Sequence, residues 1–227
     1  RYFMHIGNFQ NMTVSSMNRL VRELVETQEI PVFSAGDVQN IEPNAEARYG
    51  LVKRALRDGD LLQIKRGLYA LSPALRRQSL NQGALANRLY FPSYVSLEFA
   101  LGWHGWIPEG VVTVTSVTSK NPAEFDTLVG RFSYKRIPQA MFFCGVESVA
   151  SETGSWLQAR PLKALADYVY VNKLDWTTKE PLVESLRIEE EELETLRGDD
   201  FDSIKENYVT APNVEAFLSG LREDLYI

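Results

Sequence analysis

Cysteine and histidine are nearly missing from this chain. Its 227 residues include one cysteine, Cys144, and two histidines, His5 and His104. A single cysteine excludes an intrachain disulfide, a composition that suits the cytosol. No Cys-x-x-Cys, His-Glu-x-x-His or related spacing offers a metal its ligands. No Gly-x-Ser-x-Gly elbow and no Walker loop is present. No apolar run approaches the roughly 20 residues that span a bilayer. The most apolar helical stretch, SYVSLEFALGWHGWI (93–107), is interrupted by Glu98 and His104. Internal repeats and low-complexity tracts are also lacking. These absences predict a cytoplasmic protein that is not an enzyme, binds no metal or cofactor and does not enter a membrane. Residues 1–12, which open on Arg rather than Met, are set aside together with His5.

What is present is an uneven distribution of charge. The net charge of -6 argues by itself against a nucleic-acid partner. Residues 1–80, however, hold 11 Lys or Arg against 8 Asp or Glu, while residues 81–227 hold 13 against 22. From 48 to 77 the ratio is 8 basic to 2 acidic. Salt screens exposed charges beyond about 8 Å, so a local excess matters more than the total. A DNA-binding face need only be locally basic.

The basic segment has a recognisable order of elements. Met17, Leu20, Val21, Leu24 and Val25 recur at helical spacing. EIPVFS (29–34) breaks that helix at Pro31. Ser34 and Asp37 have capping-box spacing and should open a short second helix with Val38 and Ile41 inward. Asn44 is placed to cap a third helix, which DGD (58–60) stops near Arg57. Residues 61–71 read as two short strands around Lys65, Arg66 and Gly67, where Gly67 can supply the positive φ of a tight hairpin. Three helices and a hairpin, with the third helix basic, predict a winged helix-turn-helix over residues 13–72.

At about 100° per residue, Ala45, Tyr49, Leu51, Val52, Ala55 and Leu56 fall on one side of the third helix. Glu46, Gly50, Lys53 and Arg57 fall on the other, with Arg54 beside them. Arg48 lies on the apolar side by angle, which the helical wheel leaves unexplained. Lys53, Arg54 and Arg57 can reach phosphates, and Glu46 and Tyr49 in the first turns are nearer to base edges. Gly50 costs about 1 kcal/mol relative to Ala in a helix, so either close packing or close approach to DNA should account for it. Lys65, Arg66 and Gly67 complete the candidate DNA-binding set with Glu46, Arg48, Tyr49, Gly50, Lys53, Arg54 and Arg57.

Residues 73–82 read as a polar linker, and residues 83–227 as a larger α/β domain with a mostly antiparallel sheet flanked by helices. Helices are expected over 83–90 and 93–102. Strands are expected over 111–117, 127–137 and 141–150, with 155–159 a further candidate. PLKALADYVYVNKL (161–174) should be a helix with Pro in its first turn. IEEEELETL (188–196) and APNVEAFLSGLREDL (211–225) are helical too, the latter with Val214, Phe217, Leu218, Leu221 and Leu225 on one face. The whole chain is therefore expected to be α+β. Arg131 and Lys135, with Lys120, form a candidate second basic patch that could contact nucleic acid or balance nearby acids. His104 reads as a capping or packed residue, Cys144 as a small buried side chain in a strand, and Glu189 to Glu192 as a solvated helix start. Arg160, Lys163 and Asp167 share one helix face, where an exposed i,i+4 pair of Lys163 with Asp167 is the simplest reading.

Three stretches, RALRDGDLLQIKRGLYAL (54–71), YVSLEFALGWHGWIPEG (94–110) and ARPLKALADYVYV (159–171), resemble the AbiEi family of type IV antitoxins. They share with it the basic-Gly-Leu-Tyr hairpin, the Ser-Leu-x-x-Ala-Leu helix with its His-Gly pair, and the Lys-Ala-Leu-x-x-Asp helix. Leu162 stands where a Glu is common in that family. The resemblance implies a DNA-binding repressor that regulates its own operon from its promoter. It also implies an antitoxin whose second domain counters a nucleotidyltransferase toxin without a stable complex, and a monomer in solution is compatible with that. An orphan winged-helix regulator, a DNA-directed nuclease dependent on Asp167, and a protein whose acidic domain binds a partner directly remain alternatives.

Overall fold

A computed structural model describes residues 17–27, 30–108, 110–208 and 210–227. It contains ten α-helices and two sheets among the described residues, a mixed α and β architecture. The chain divides into two compact units between Leu80 and Asn81. Residues 13–16 of the expected first domain lie outside the described residues. None of the described helices is long and apolar enough to cross a membrane.

The first unit runs α1 (Arg19–Thr27), β1 (Val32–Ser34), α2 (Ala35–Ile41), α3 (Ala45–Arg57), β2 (Leu61–Lys65) and β3 (Leu68–Leu71). Its antiparallel sheet has the order β1-β3-β2. Leu20, Val21 and Leu24 of α1 meet Phe33, Val38, Ala55, Leu61 and Leu71 in the core. Each helix start has a local cause. Ser34 Oγ accepts from the Asp37 amide at 3.2 Å, and Asp37 accepts from the Ser34 amide at 2.7 Å. Asn44 Oδ1 accepts from the Ala47 amide at 2.9 Å. Such caps satisfy amides that the helix itself leaves unpaired. Gly67 has φ +77° at the hairpin tip, and its carbonyl accepts from the Ala35 amide at 2.8 Å. That bond ties the tip to the start of α2.

Two sequence expectations change here. Residues 32–34 form a strand rather than only a break, because three residues are too few to show alternation. Ala45 and Tyr49, assigned to the packed side of α3, are exposed, Tyr49 by 69%. The packed side runs instead through Arg48, Leu51, Val52, Ala55 and Leu56, all buried or half-buried.

The second unit holds α4 (Gln82–Leu89), β4 (Ser93–Val95), α5 (Leu97–Trp103), β5 (Thr113–Thr118), β6 (Ala123–Thr127), β7 (Gly130–Arg136), β8 (Val146–Ser151) and β9 (Gly154–Ala159). It continues with α6 (Pro161–Asn172), α7 (Glu180–Leu186), α8 (Glu190–Leu193), α9 (Gly198–Lys205) and α10 (Pro212–Asp224). The sheet order is β6-β7-β5-β4-β9-β8. Three pairings are antiparallel, but β5–β7 and β4–β9 are parallel. The sheet is therefore mostly antiparallel, as expected, with its two parallel pairings among the inner strands. α4 lies on β4, β5 and β9, and α6 packs against α5, α9 and α10.

Other boundaries move as well. The helix expected over 93–102 is β4 followed by α5, because residues 93–95 pair with β5 and the chain turns at Leu97, φ +57°. The run over 127–137 is the tip and second arm of the β6–β7 hairpin. The strand expected over 141–150 begins only at Val146, and Cys144 sits in the turn before it. The helices α7 and α9 were not foreseen. On α10, Val214, Phe217, Leu218 and Leu221 are buried, and Leu225 is half-buried.

Gly220, in the interior of α10, answers a packing demand. A Cβ there would lie 1.7 Å from the Thr177 carbonyl oxygen. Replacing a helical Gly by Ala favours the helix by about 1 kcal/mol, but overpacking against backbone typically costs about 1–3 kcal/mol or more. Gly220→Ala is therefore expected to lower the denaturation midpoint, and a raised midpoint in chemical unfolding would contradict this close approach.

Candidate nucleic-acid interface and a buried ionic centre

The exposed side of α3 carries Glu46, Tyr49, Lys53, Arg54 and Arg57, with half-buried Gly50 among them. Lys53 Nζ stands 5.9 Å from the Tyr49 ring centroid, one helical turn away, so cation and ring present a joint surface. Gly50 has nothing within 4 Å of the position a Cβ would take. Packing among the described residues does not require glycine there. Arg57 Nε lies 2.8 Å from Asp58 Oδ1 on the surface. Beyond the helix, half-buried Lys65 ends β2 and exposed Arg66 enters the hairpin bend that Gly67 closes.

Arg48 is the exception among the candidate residues. Its Nη1 donates to the carbonyls of Glu42 at 2.8 Å and Pro43 at 2.9 Å. The guanidinium therefore braces the connection from α2 to α3, which explains its place on the apolar side.

The second basic patch is held differently from the first. Arg131 Nε is 3.7 Å from Asp126 Oδ2 across the β6–β7 hairpin, and Lys135 Nζ is 3.8 Å from Glu124 Oε1. Lys120 Nζ donates to the Phe91 carbonyl at 2.6 Å and lies over the Tyr90 ring. Arg131 and Lys135 thus each face a carboxylate, whereas Lys120 meets a carbonyl and a ring. Phe132, Ser133 and Tyr134 between them are buried, so β7 is covered on both faces at its middle.

The most demanding polar site is elsewhere. Lys163 and Asp167, expected as an exposed pair, are both 0% exposed. Lys163 Nζ donates to Asp167 Oδ1 at 2.7 Å, to the Met141 carbonyl at 2.9 Å and to the Tyr208 hydroxyl. Tyr208 donates in turn to Asp167 Oδ1. The other carboxylate oxygen, Oδ2, accepts from Tyr94 at 2.8 Å and Ser96 at 2.7 Å. All three ammonium protons and both carboxylate oxygens are thus engaged, which leaves no position for a substrate or a metal. The parts come from distant places: a helical i,i+4 spacing on α6, an i,i+2 pair at the end of β4, and Tyr208, three residues beyond α9. Gly145, with φ +63°, brings the preceding turn onto this helix, where a Cβ would come within 2.8 Å of Lys163 Cβ.

A signal for this centre was present in the sequence. PLKALADYVYV is apolar around its whole circumference, and a helix of that kind is buried. A charge on it must then be paired.

Burial first, and then the negative charge of Asp167, pushes the hydroxyls of Tyr94 and Tyr208 well above their ordinary range. Both therefore remain protonated donors. The half-buried Cys144 thiol donates to the Met141 carbonyl at 3.4 Å. Burial raises its pKa and outweighs the pull of Lys163, the opposite of what activates a nucleophilic thiol. His104 closes α5, and its Nε2 is 2.9 Å from the Ala159 carbonyl. His5 lies outside the described residues. Glu190 pairs with Lys179, and no group of three His, Cys, Asp or Glu is placed to hold a metal among the described residues.

No protein-family model matches the sequence, and no curated protein matches it.

Removing one partner of a buried, hydrogen-bonded ion pair costs roughly 3–5 kcal/mol, because the other charge stays behind unpaired. Asp167→Ala is expected to lose that much in urea unfolding, and a loss below about 1 kcal/mol, typical of surface pairs, would refute the buried geometry. The two tyrosines also set an alkaline limit. Their folded pKa values exceed the unfolded value near 10.0, so above that pH the unfolded chain releases protons that the folded chain retains. Stability is full below pH 10 and should fall as pH rises past it, with a shallower fall in Tyr208→Phe, as measured by thermal midpoint against pH.

Proposed function

We propose that this chain is a DNA-binding transcriptional regulator whose N-terminal unit is a winged helix-turn-helix. The order α1-β1-α2-α3-β2-β3 and the sheet order β1-β3-β2 support that reading. In it, α3 enters the major groove and the β2–β3 tip follows the neighbouring backbone. Lys53, Arg54, Arg57, Lys65 and Arg66 contact phosphates, while Glu46 and Tyr49 face base edges. Arg48 supports the approach of α3 rather than touching DNA.

The observation that carries the proposal is Gly50. Glycine in a helix is unfavourable, nothing among the described residues needs it here, and the cations Lys53 and Arg54 follow it one turn on. A partner backbone coming close to α3 accounts for all three facts. The resemblance to the AbiEi antitoxins extends the reading to a repressor of its own operon whose second unit counters a nucleotidyltransferase toxin without stable association. The nuclease alternative depended on Asp167, and four hydrogen bonds already occupy that carboxylate.

Fluorescence anisotropy with a duplex of the chain's own promoter tests the interface. Each phosphate contact contributes about 0.9 to the slope of log affinity against log salt, so Arg57→Ala with Arg66→Ala should flatten the slope by about 2. An unchanged slope would remove both residues from the interface. In the same assay Gly50→Ala should bind more weakly although its thermal stability rises by about 1 kcal/mol. Undiminished binding by Gly50→Ala would remove the close approach.

A further inference from the structure

The second unit is strongly acidic, yet three cations and a single carboxylate line one of its clefts. Arg136 at the end of β7, Lys135 beside it and Lys173 at the end of α6 line a cavity of about 520 Å³ with Tyr170 and Asn213. Asp175 is the one carboxylate in the lining. Neither Arg136 nor Lys173 has an ion-pair partner among the described residues, and both are exposed. Lys135 has only the distant Glu124, at 3.8 Å.

Cations brought to one cleft from elements far apart in sequence repel one another, and the single carboxylate of Asp175 offsets only part of their charge. A bound anion would offset the rest. Local structure also removes an obstacle to one. The carbonyl-rich end of α6 would repel an anion, but Asn213 Nδ2 donates to the Val169 carbonyl at 3.4 Å and the Leu174 carbonyl at 3.2 Å.

We infer that this cleft binds the phosphates of a free nucleotide. Arginine's planar fork matches phosphate oxygens two at a time, and Lys173 supplies a movable point charge. The Tyr170 ring in the wall offers a base an aromatic surface. The volume is within the roughly 300–1,000 Å³ of small-molecule sites. This inference is independent of the DNA-binding proposal, since it concerns other residues in the other unit.

The test is isothermal titration calorimetry of the full chain with ATP, inorganic pyrophosphate and a tetraglutamate peptide. ATP should bind saturably and more tightly than pyrophosphate. Arg136→Ala with Lys173→Ala should weaken ATP by about tenfold or more, the worth of a charge-assisted contact, with an unchanged thermal midpoint. Arg131→Ala, on the same strand outside the cleft, should bind ATP as the parent does. No saturable ATP binding at millimolar ligand, or full binding by the double variant, overturns the inference. Pyrophosphate binding as tightly as ATP overturns the nucleotide assignment, and equal binding of the peptide reduces the cleft to an unselective cationic surface. Loss of promoter-duplex binding in the double variant would instead assign the cleft to the DNA interface and overturn its separate role.

Discussion

The second unit depends on how Lys163 and Asp167 are satisfied inside it. Each charge would cost several kcal/mol to bury alone, and their attraction offsets this only when the remaining protons and lone pairs find partners. Here they do, through two tyrosine hydroxyls, one serine hydroxyl and one backbone carbonyl. Those partners belong to β4, to the turn around Met141 and to the segment after α9. The network therefore requires α6, the sheet and the C-terminal helices to occupy one arrangement. A shift of any of these would strand a buried charge. A polar centre of this kind discriminates between packings more sharply than apolar contacts, which tolerate small displacements.

The first unit is organised in the opposite way. Its interior is a small apolar cluster, and its charges lie outside, along α3 and at the hairpin bend. Positioning there comes from caps and turns rather than from a buried ion pair. The reciprocal bonds of Ser34 and Asp37 set the start of α2, and the bond from Ala35 to Gly67 fixes the hairpin against it. Arg48 braces the corner between α2 and α3. Two of the helical glycines separate the kinds of demand a sequence meets. Gly220 meets its own backbone, whereas Gly50 meets nothing among the described residues. The first is a requirement of folding, and the second is used by the proposed interface.

Much of the first unit could be read from local signals. Capping residues, a stop at residues 58–60 and a glycine at the bend act within a few residues, so sequence spacing suffices to locate them. The face of α3 was less legible. Tyr49 was placed inward on hydropathy and angle, and Arg48 was left unexplained, because a helical wheel does not show where the neighbouring helices lie. Three-residue strands such as β1 and β4 carry no periodicity to detect. In the second unit, Lys163 and Asp167 were recognised as a pair but placed on the surface. Their spacing was visible, whereas their burial follows from contributions by Tyr94, Ser96 and Tyr208, 41 to 73 residues away from Asp167.

Composition and local spacing alone were enough to establish a mixed α and β chain, one basic N-terminal segment and the positions of most helices. They sufficed because propensity, capping and turn chemistry act over short distances along the chain. Whether a charge is exposed or buried, paired across a hairpin or left facing a cleft, depends on residues brought together from far apart. That assigned Arg131 to Asp126, sealed Asp167 in the interior and brought Arg136 and Lys173 to one cleft. Electrostatic cost depends on surroundings, and in this protein the surroundings exist only once the sheet and its helices have assembled.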